Sequence, residues 1–245
     1  MLHQPLIDQL HSLRLRGMAA ALEHQLRTPE VAGLSFEDRF ALLLQHEAAD
    51  RASQRLHQRL RWAKLPQHAC IEDLDARTAR GLDRTTLARA TSLTWIQQRL
   101  NLLITGPTGV GKSFIACALA HQACREDRSV RYLRLPRLVE ELTRAGAESR
   151  KSAYFRTLAK TDLIVLDDFA LAPPPDEVRR DLLEILDDRY DKKSMIVTSQ
   201  LPVEQWHAYL AEPTLADAIL DRLVHNAHRL TLTGDSMRKK KIADH

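Results

Sequence analysis

The apolar residues of this chain follow two rhythms. Up to about residue 66 they recur every three or four positions, the spacing of helices that bury one face. Leu6, Leu10 and Leu13, then Met18, Leu22 and Leu26, mark such a face. Thr28-Pro29 and Gly33 interrupt it. Ser35, three residues before Asp38, opens a second helix with a capping-box-like pattern, and Phe36, Phe40, Leu43 and Leu44 give it a core face. That helix runs toward Trp62, and Pro66 stops it. Beyond residue 100 the rhythm changes to short, mostly apolar runs at 101–105, 163–166 and 195–198, with a further strand read over 130–135. Runs of this length, apolar on both faces, predict the buried strands of a parallel sheet. Helical patterns separate them, with Ile115, Leu119 and Ala123 on one face after the first run and Val178, Leu182, Ile185 and Leu186 on another across 176–190. A single helix over 85–99 turns Leu87, Ala90, Leu93 and Ile96 inward. The expectation is a small all-α domain over residues 1–66 and an α/β domain over 67–245.

The first strand runs straight into Gly106-Pro107-Thr108-Gly109-Val110-Gly111-Lys112-Ser113, followed by Phe114 and a helix. Strand, glycine loop and helix in that order form the phosphate-binding P-loop. Its glycines let backbone N–H groups converge on one point, and the next helix aims its positive end there. Lys112 is placed for the β- and γ-phosphates, Ser113 for Mg²⁺. The ligand class is therefore a nucleoside triphosphate with Mg²⁺. A second apolar run ends in Asp167-Asp168, at the strand end where open α/β sheets bind ligands. Asp167 is the natural metal-shell carboxylate, and Asp168 stands where it can orient or deprotonate the attacking water. After the third run, Thr198 and Gln200 are both candidates to contact the γ-phosphate or that water.

Composition narrows the partners. Arginine supplies 27 and lysine nine of the 36 basic residues, in a chain of net charge +4. Arginine grips phosphate bidentately, so this bias favours nucleic acid or an interface. Arg51, Arg55 and Arg59 stand four apart, a positive stripe on one helical face. Such a stripe either meets duplex phosphates or merely keeps the helix solvated; the first is the expectation. Ten basic residues against five acids crowd 125–160, with Arg150 and Lys151 in a turn there as further DNA candidates. The three cysteines follow no metal spacing, no apolar run is long enough to span a membrane, and the N-terminus has no signal-peptide pattern. A cytoplasmic location is expected.

In this setting the chain resembles the AAA+ ATPases, and within them the IstB-like ATP-binding proteins, close to the DnaC-type helicase loaders. GPTGVGKS at 106–113, DLIVLDDF at 162–169, TSQLPVEQW at 198–206 and the tail over 216–240 carry the resemblance, with LHSLRLRGMAAAL at 10–22. It implies a P-loop core with strand order 5-1-4-3-2 and ATP sites shared between subunits of a homo-oligomer on duplex DNA. It implies a transposase as partner, helped in target selection and insertion, with loading of a replicative helicase as the alternative. It also implies that Arg222 is an arginine finger acting on a neighbouring subunit. Three departures stand out: Asp168 replaces the usual Glu, Gln200 replaces a frequent Asn, and few residues are left for a helical lid. Arg238 is the stand-in for the arginine such a lid carries.

Overall fold

The computed structural model describes residues 4–74 and 81–237. They form two compact units, Met1–Gln58 and Arg59–His245. In the first unit lie α1 (Gln4–Ser12), α2 (Arg16–Arg27) and most of α3 (Phe36–Ala63). The Ser35 hydroxyl accepts the Asp38 N–H at 3.1 Å and donates to the Asp38 carboxylate, so this helix starts where the sequence places it. Gly17 lets α2 cross α3 closely, since a Cβ there would stand 2.7 Å from the Glu47 Cα. The Glu47 carboxylate is buried at this crossing, which by itself pushes its pKa up. Its pair with Arg51 and the Met18 N–H it accepts at the start of α2 outweigh that cost and leave it below the usual carboxylate range.

The helical face expected from leucine spacing is buried only in part: Met18 is buried and Leu10 and Leu22 are half-buried. Ile7, Met18, Ala19 and Ala21 are buried, while Leu6, Leu13 and Leu26 are exposed. On α3 the Phe36 and Phe40 rings stack on each other at 5.9 Å, with Phe36 68 % exposed. Small residues won these contacts because the helices approach closely at Gly17, which leaves no room for leucine between them.

The second unit is a five-stranded parallel sheet. Its strands are β1 (Asn101–Thr105), β2 (Val130–Arg134), β3 (Leu163–Phe169), β4 (Ser194–Ser199) and β5 (Ala227–Thr231). Their order, β2-β3-β4-β1-β5, is the one the resemblance implied. Register pairs Leu103 with Val197 on one side and Arg229 on the other. Helix α6 (Lys112–Arg125) follows β1, with nine of its fourteen residues buried. Helices α7 (Leu135–Ala147), α8 (Lys151–Lys160) and α9 (Asp176–Arg189) follow β2 and β3, and α10 (Trp206–Leu210) and α11 (Pro213–Val224) follow β4. Leu138, Leu142, Phe155, Leu182, Ile185, Trp206 and Ile219 pack with Leu103, Ile164 and Val197 in one core.

Two elements depart from the sequence reading. The helix expected over 85–99 is two, α4 (Arg84–Thr91) and α5 (Thr94–Gln97), broken at Leu93 with φ of +52°. Thr91 and Ser92 hydroxyls donate to the carbonyls of Leu87 and Arg89, competing with helical continuation. The inward face was nonetheless right, with Ala90, Leu93 and Ile96 buried. Helix α8 was not among the expected elements, although Tyr154, Phe155 and Leu158 stand at helical spacing and the last two are buried. Arg189, 2 % exposed, anchors its end by donating to the carbonyls of Leu158 and Thr161 and to that of Ser194 on β4. Burial pulls this guanidinium down to about 10. Cys117 and Cys124 are buried and their thiols pushed up, to about 12 and about 11, so they act as core packing. No helix among the described residues is long and apolar enough to cross a membrane.

Candidate nucleotide site

The phosphate loop leaves the C-terminal end of β1 and closes on the first turn of α6. Gly106, Gly109 and Gly111 have φ of +145°, +88° and +99°. At two of them space matters as well as angle. A Cβ on Gly106 would stand 2.3 Å from the Leu232 carbonyl oxygen, and one on Gly109 2.2 Å from the Ser236 Oγ. The segment after β5 thus lies along the loop, tied by Leu232 N–H to Thr105 O at 2.7 Å and Met237 N–H to Gly109 O at 2.9 Å. No helical lid follows β5 among the described residues. Arg238, expected to reach the phosphate, lies outside them.

Lys112 folds back over the loop, its Nζ donating to the carbonyls of Gly106 at 2.7 Å and Pro107 at 2.8 Å. Burial lowers its pKa, opposed by the charges of Asp167 and Asp168. The Ser113 hydroxyl donates to the Asp167 carboxylate at 2.9 Å. Val110 is fully buried, and Phe114 sits half-buried at the start of α6. Thr108 donates to the Gln200 side-chain oxygen at 2.8 Å, so Gln200 is at the loop's edge.

Asp167 is 3 % exposed and held from both neighbouring strands. Tyr132 on β2 and Thr198 on β4 each donate a hydroxyl hydrogen bond to it. Thr198 also accepts the Asp168 N–H at 3.2 Å. The Asp168 carboxylate turns to Arg134, which donates from Nε at 2.9 Å and from Nη2 at 2.5 Å. Tyr132 and Arg134 stand two apart on β2 and so share a face, whereas consecutive residues of a regular strand point to opposite faces. The backbone reconciles the two at Asp168, where φ is +58° and the β3–β4 register shifts between Leu166 and Phe169. One strand can therefore grip both acids. Tyr132 and Arg134 were absent from the residues singled out in the sequence. Their alternation beside a strand ending in two acids was the available signal.

The donor set suits Mg²⁺: a serine hydroxyl and a carboxylate are hard oxygen ligands, to which nucleotide phosphates add the rest. Among the described residues no group of His, Cys, Asp and Glu could hold a metal unaided.

The remaining candidates lie away from the loop. The carbonyls of Arg222 and Leu223, at the end of α11, accept the Asn101 side-chain amide at 3.1 and 3.2 Å, at the start of β1. That is the opposite end of the strand from the phosphate loop, about 16 Å at the rise of an extended chain. The Arg222 guanidinium pairs with Asp187 on α9 and donates to Ala218 O at 2.8 Å. Arg51 pairs with Glu47 at 2.7 Å and Arg59 with Asp127 at 2.6 Å; Arg55 has no ion pair among the described residues. Arg150 lies 3.4 Å from Glu148 and is well exposed, while Lys151 bridges Glu177 at 2.6 Å and Asp181 at 2.9 Å, clasping α8 to α9.

A P-loop between β1 and α6, two acids at the tip of β3, and the sheet order 2-3-4-1-5 define a P-loop protein of the AAA+ class. Solved structures agree on the fold. The DnaC helicase loader matches with a TM-score of 0.58 at 19 % identity, over 69 % of this chain and 99 % of that one. Nucleotide-bound DnaA from Aquifex aeolicus matches with a TM-score of 0.60 at 16 % identity, over 74 % and 56 %. More particularly, residues 8–244 match the IstB-like ATP binding protein family, and the chain belongs to it. The putative insertion sequence ATP-binding protein y4pL of Sinorhizobium fredii is 48 % identical over 98 % of both chains, and that of IS1162 from Pseudomonas fluorescens is 50 % identical over 82 % of this chain and 88 % of its own.

Proposed function

We propose that this protein binds ATP with Mg²⁺ at the 106–113 loop, assembles on duplex DNA in its ATP-bound state, and assists the transposase of an insertion sequence in target selection and insertion. The observation that carries the reading is the position of Arg222. It lies at the opposite end of the sheet from its own phosphate loop, too far for its side chain to reach, so a nucleotide it serves belongs to another copy of the chain. Each site is then a loop from one protomer completed by Arg222 of the next, and ATP occupancy governs assembly. The insertion-sequence names of the relatives suggest the biological setting, and the proposal places the protein in the cytoplasm. Among the candidate DNA contacts, Arg55 is exposed and open to a phosphate, and Arg150 is exposed with a 3.4 Å pair to the exposed Glu148 to exchange for one. Arg51, Arg59 and Lys151 must first exchange an internal carboxylate for one.

Hydrolysis follows from the same residues. Lys112 leaves the loop carbonyls for the β- and γ-phosphates, and Ser113 and Asp167 hold the metal, which neutralises phosphate charge. Asp168 orients the water or takes its proton once Arg134 releases it. We therefore expect Arg134→Ala to raise DNA-free ATP turnover about two- to fivefold, the rate equivalent of an exposed ion pair of up to ~1 kcal/mol. A phosphate-release assay on the variant checks this; unchanged or lower turnover rules out Arg134 as a restraint.

Electron microscopy with duplex DNA and a non-hydrolysable ATP analogue tests the main reading. Ordered oligomers are expected, absent without nucleotide, with DNA affinity falling steeply as salt rises. A monomer indifferent to both ligands overturns it. The fold likeness to the DnaC loader sustains one other reading, a helicase loader, and pull-down with a replicative helicase against a transposase separates them.

A further inference from the structure

We infer that Tyr132 is the positioning residue that fixes the metal-holding carboxylate, and that it sets how much Mg²⁺ the site needs to bind nucleotide. The inference rests on the nucleotide reading above and extends it to a residue outside the loop and the acidic pair.

Asp167 is nearly sealed from water, so its charge depends on donors supplied by the protein. Three hydroxyls supply them. Ser113 Oγ lies 2.9 Å from Oδ1 and 3.0 Å from Oδ2, Thr198 donates to Oδ1, and Tyr132 donates to Oδ2. Their roles differ once a metal is present. Ser113 is itself a metal ligand and is committed to the ion. Thr198 also accepts the Asp168 N–H, so its hydroxyl is shared between the two acids. Tyr132 is left as the donor dedicated to this carboxylate. It comes from β2, on the opposite side of β3 from Thr198, so the pair clamp the carboxylate from both flanks. The tyrosine is itself 8 % exposed, and its ring is packed in place before any ligand arrives. Without its hydroxyl, one buried carboxylate oxygen loses that donor, and the group is free to rotate away from Ser113. Metal ligands depend on such outer partners for orientation, and their loss typically costs about 10- to 100-fold in metal affinity.

The test is titration of a fluorescent ATP analogue with the full-length protein at a series of Mg²⁺ concentrations and in EDTA. Tyr132→Phe keeps the ring and removes only the hydroxyl. The half-saturating Mg²⁺ concentration should rise about tenfold or more, while nucleotide affinity in EDTA stays within about twofold of the unmodified protein. Thr198→Val should shift the Mg²⁺ requirement in the same direction, and Thr198→Ser should restore it. Tyr154→Phe is the control. It removes another tyrosine hydroxyl bound to a carboxylate, that of Glu141 at 2.6 Å, away from the loop, and should leave both titrations unchanged. A Tyr132→Phe protein with the normal Mg²⁺ requirement overturns the inference. So does equal weakening with and without Mg²⁺, which marks general damage to the site. If the unmodified protein binds no nucleotide in any condition, the nucleotide reading itself fails, and this one with it.

Discussion

Arg222→Ala should cut ATP turnover by about 10³-fold or more while leaving nucleotide affinity of the dilute protein within about twofold. Arginine fingers in other NTPases contribute ~10³–10⁵ in rate because they meet charge that develops only in the transition state. Here the guanidinium is held by Asp187 and Ala218 O within its own chain, at the far end of the sheet from the loop. Removing it therefore takes nothing from the local phosphate site. A mixing experiment sharpens the test. A Lys112→Ala protomer has a defective loop and an intact Arg222; an Arg222→Ala protomer is the reverse. Combined, about a quarter of randomly formed head-to-tail contacts pair a sound loop with a sound arginine. Two inactive samples should thus regain a substantial share of activity on mixing. Normal turnover by Arg222→Ala alone, or no recovery in the mixture, ends the shared-site account.

The second large effect belongs to Lys112→Ala, for which ATP affinity should drop at least about a hundredfold. The ammonium forms charge-assisted hydrogen bonds to two phosphates, each worth roughly 1.5–3 kcal/mol. Among the described residues at the loop no other cation is free for the phosphates: Arg134 is engaged with Asp168, and the other loop side chains are neutral. Fluorescence titration measures the loss, and circular dichroism shows whether the fold survives, since Lys112 also satisfies the carbonyls of Gly106 and Pro107. A variant that binds ATP at near-normal strength means the loop does not hold the triphosphate in the expected way.

Much of this site could be read in the chain, and the limits of that reading have a physical pattern. The loop, the acidic strand tip and their convergence follow from local signals, because glycine spacing and apolar runs encode strand, turn and helix within a short stretch of chain. The strand order came from family resemblance, since no periodicity states which strand neighbours which. Partners gripping one another between separate strands or helices leave little local trace. Tyr132 on Asp167, Arg134 on Asp168, Lys151 on Asp181 and Arg222 on Asp187 are all far apart in the chain. The helical N-terminal unit misled in a different way. Leucine spacing there named a face of which Met18 is buried but Leu6, Leu13 and Leu26 are not, because a single glycine lets the helices come too close for leucine to lie between them.

The left-handed twist at Asp168 bears on how a hydrolysis-dead protein should be made. Most side chains resist that backbone angle, but asparagine tolerates it. Asp168→Asn removes the negative charge and spares the bend that lets β2 hold both acids. Alanine at the same place withdraws the charge and strains the bend together, so a silent enzyme of that kind says little about chemistry. An arrested assembly, loaded with ATP and caught before it lets go, is best sought with the amide.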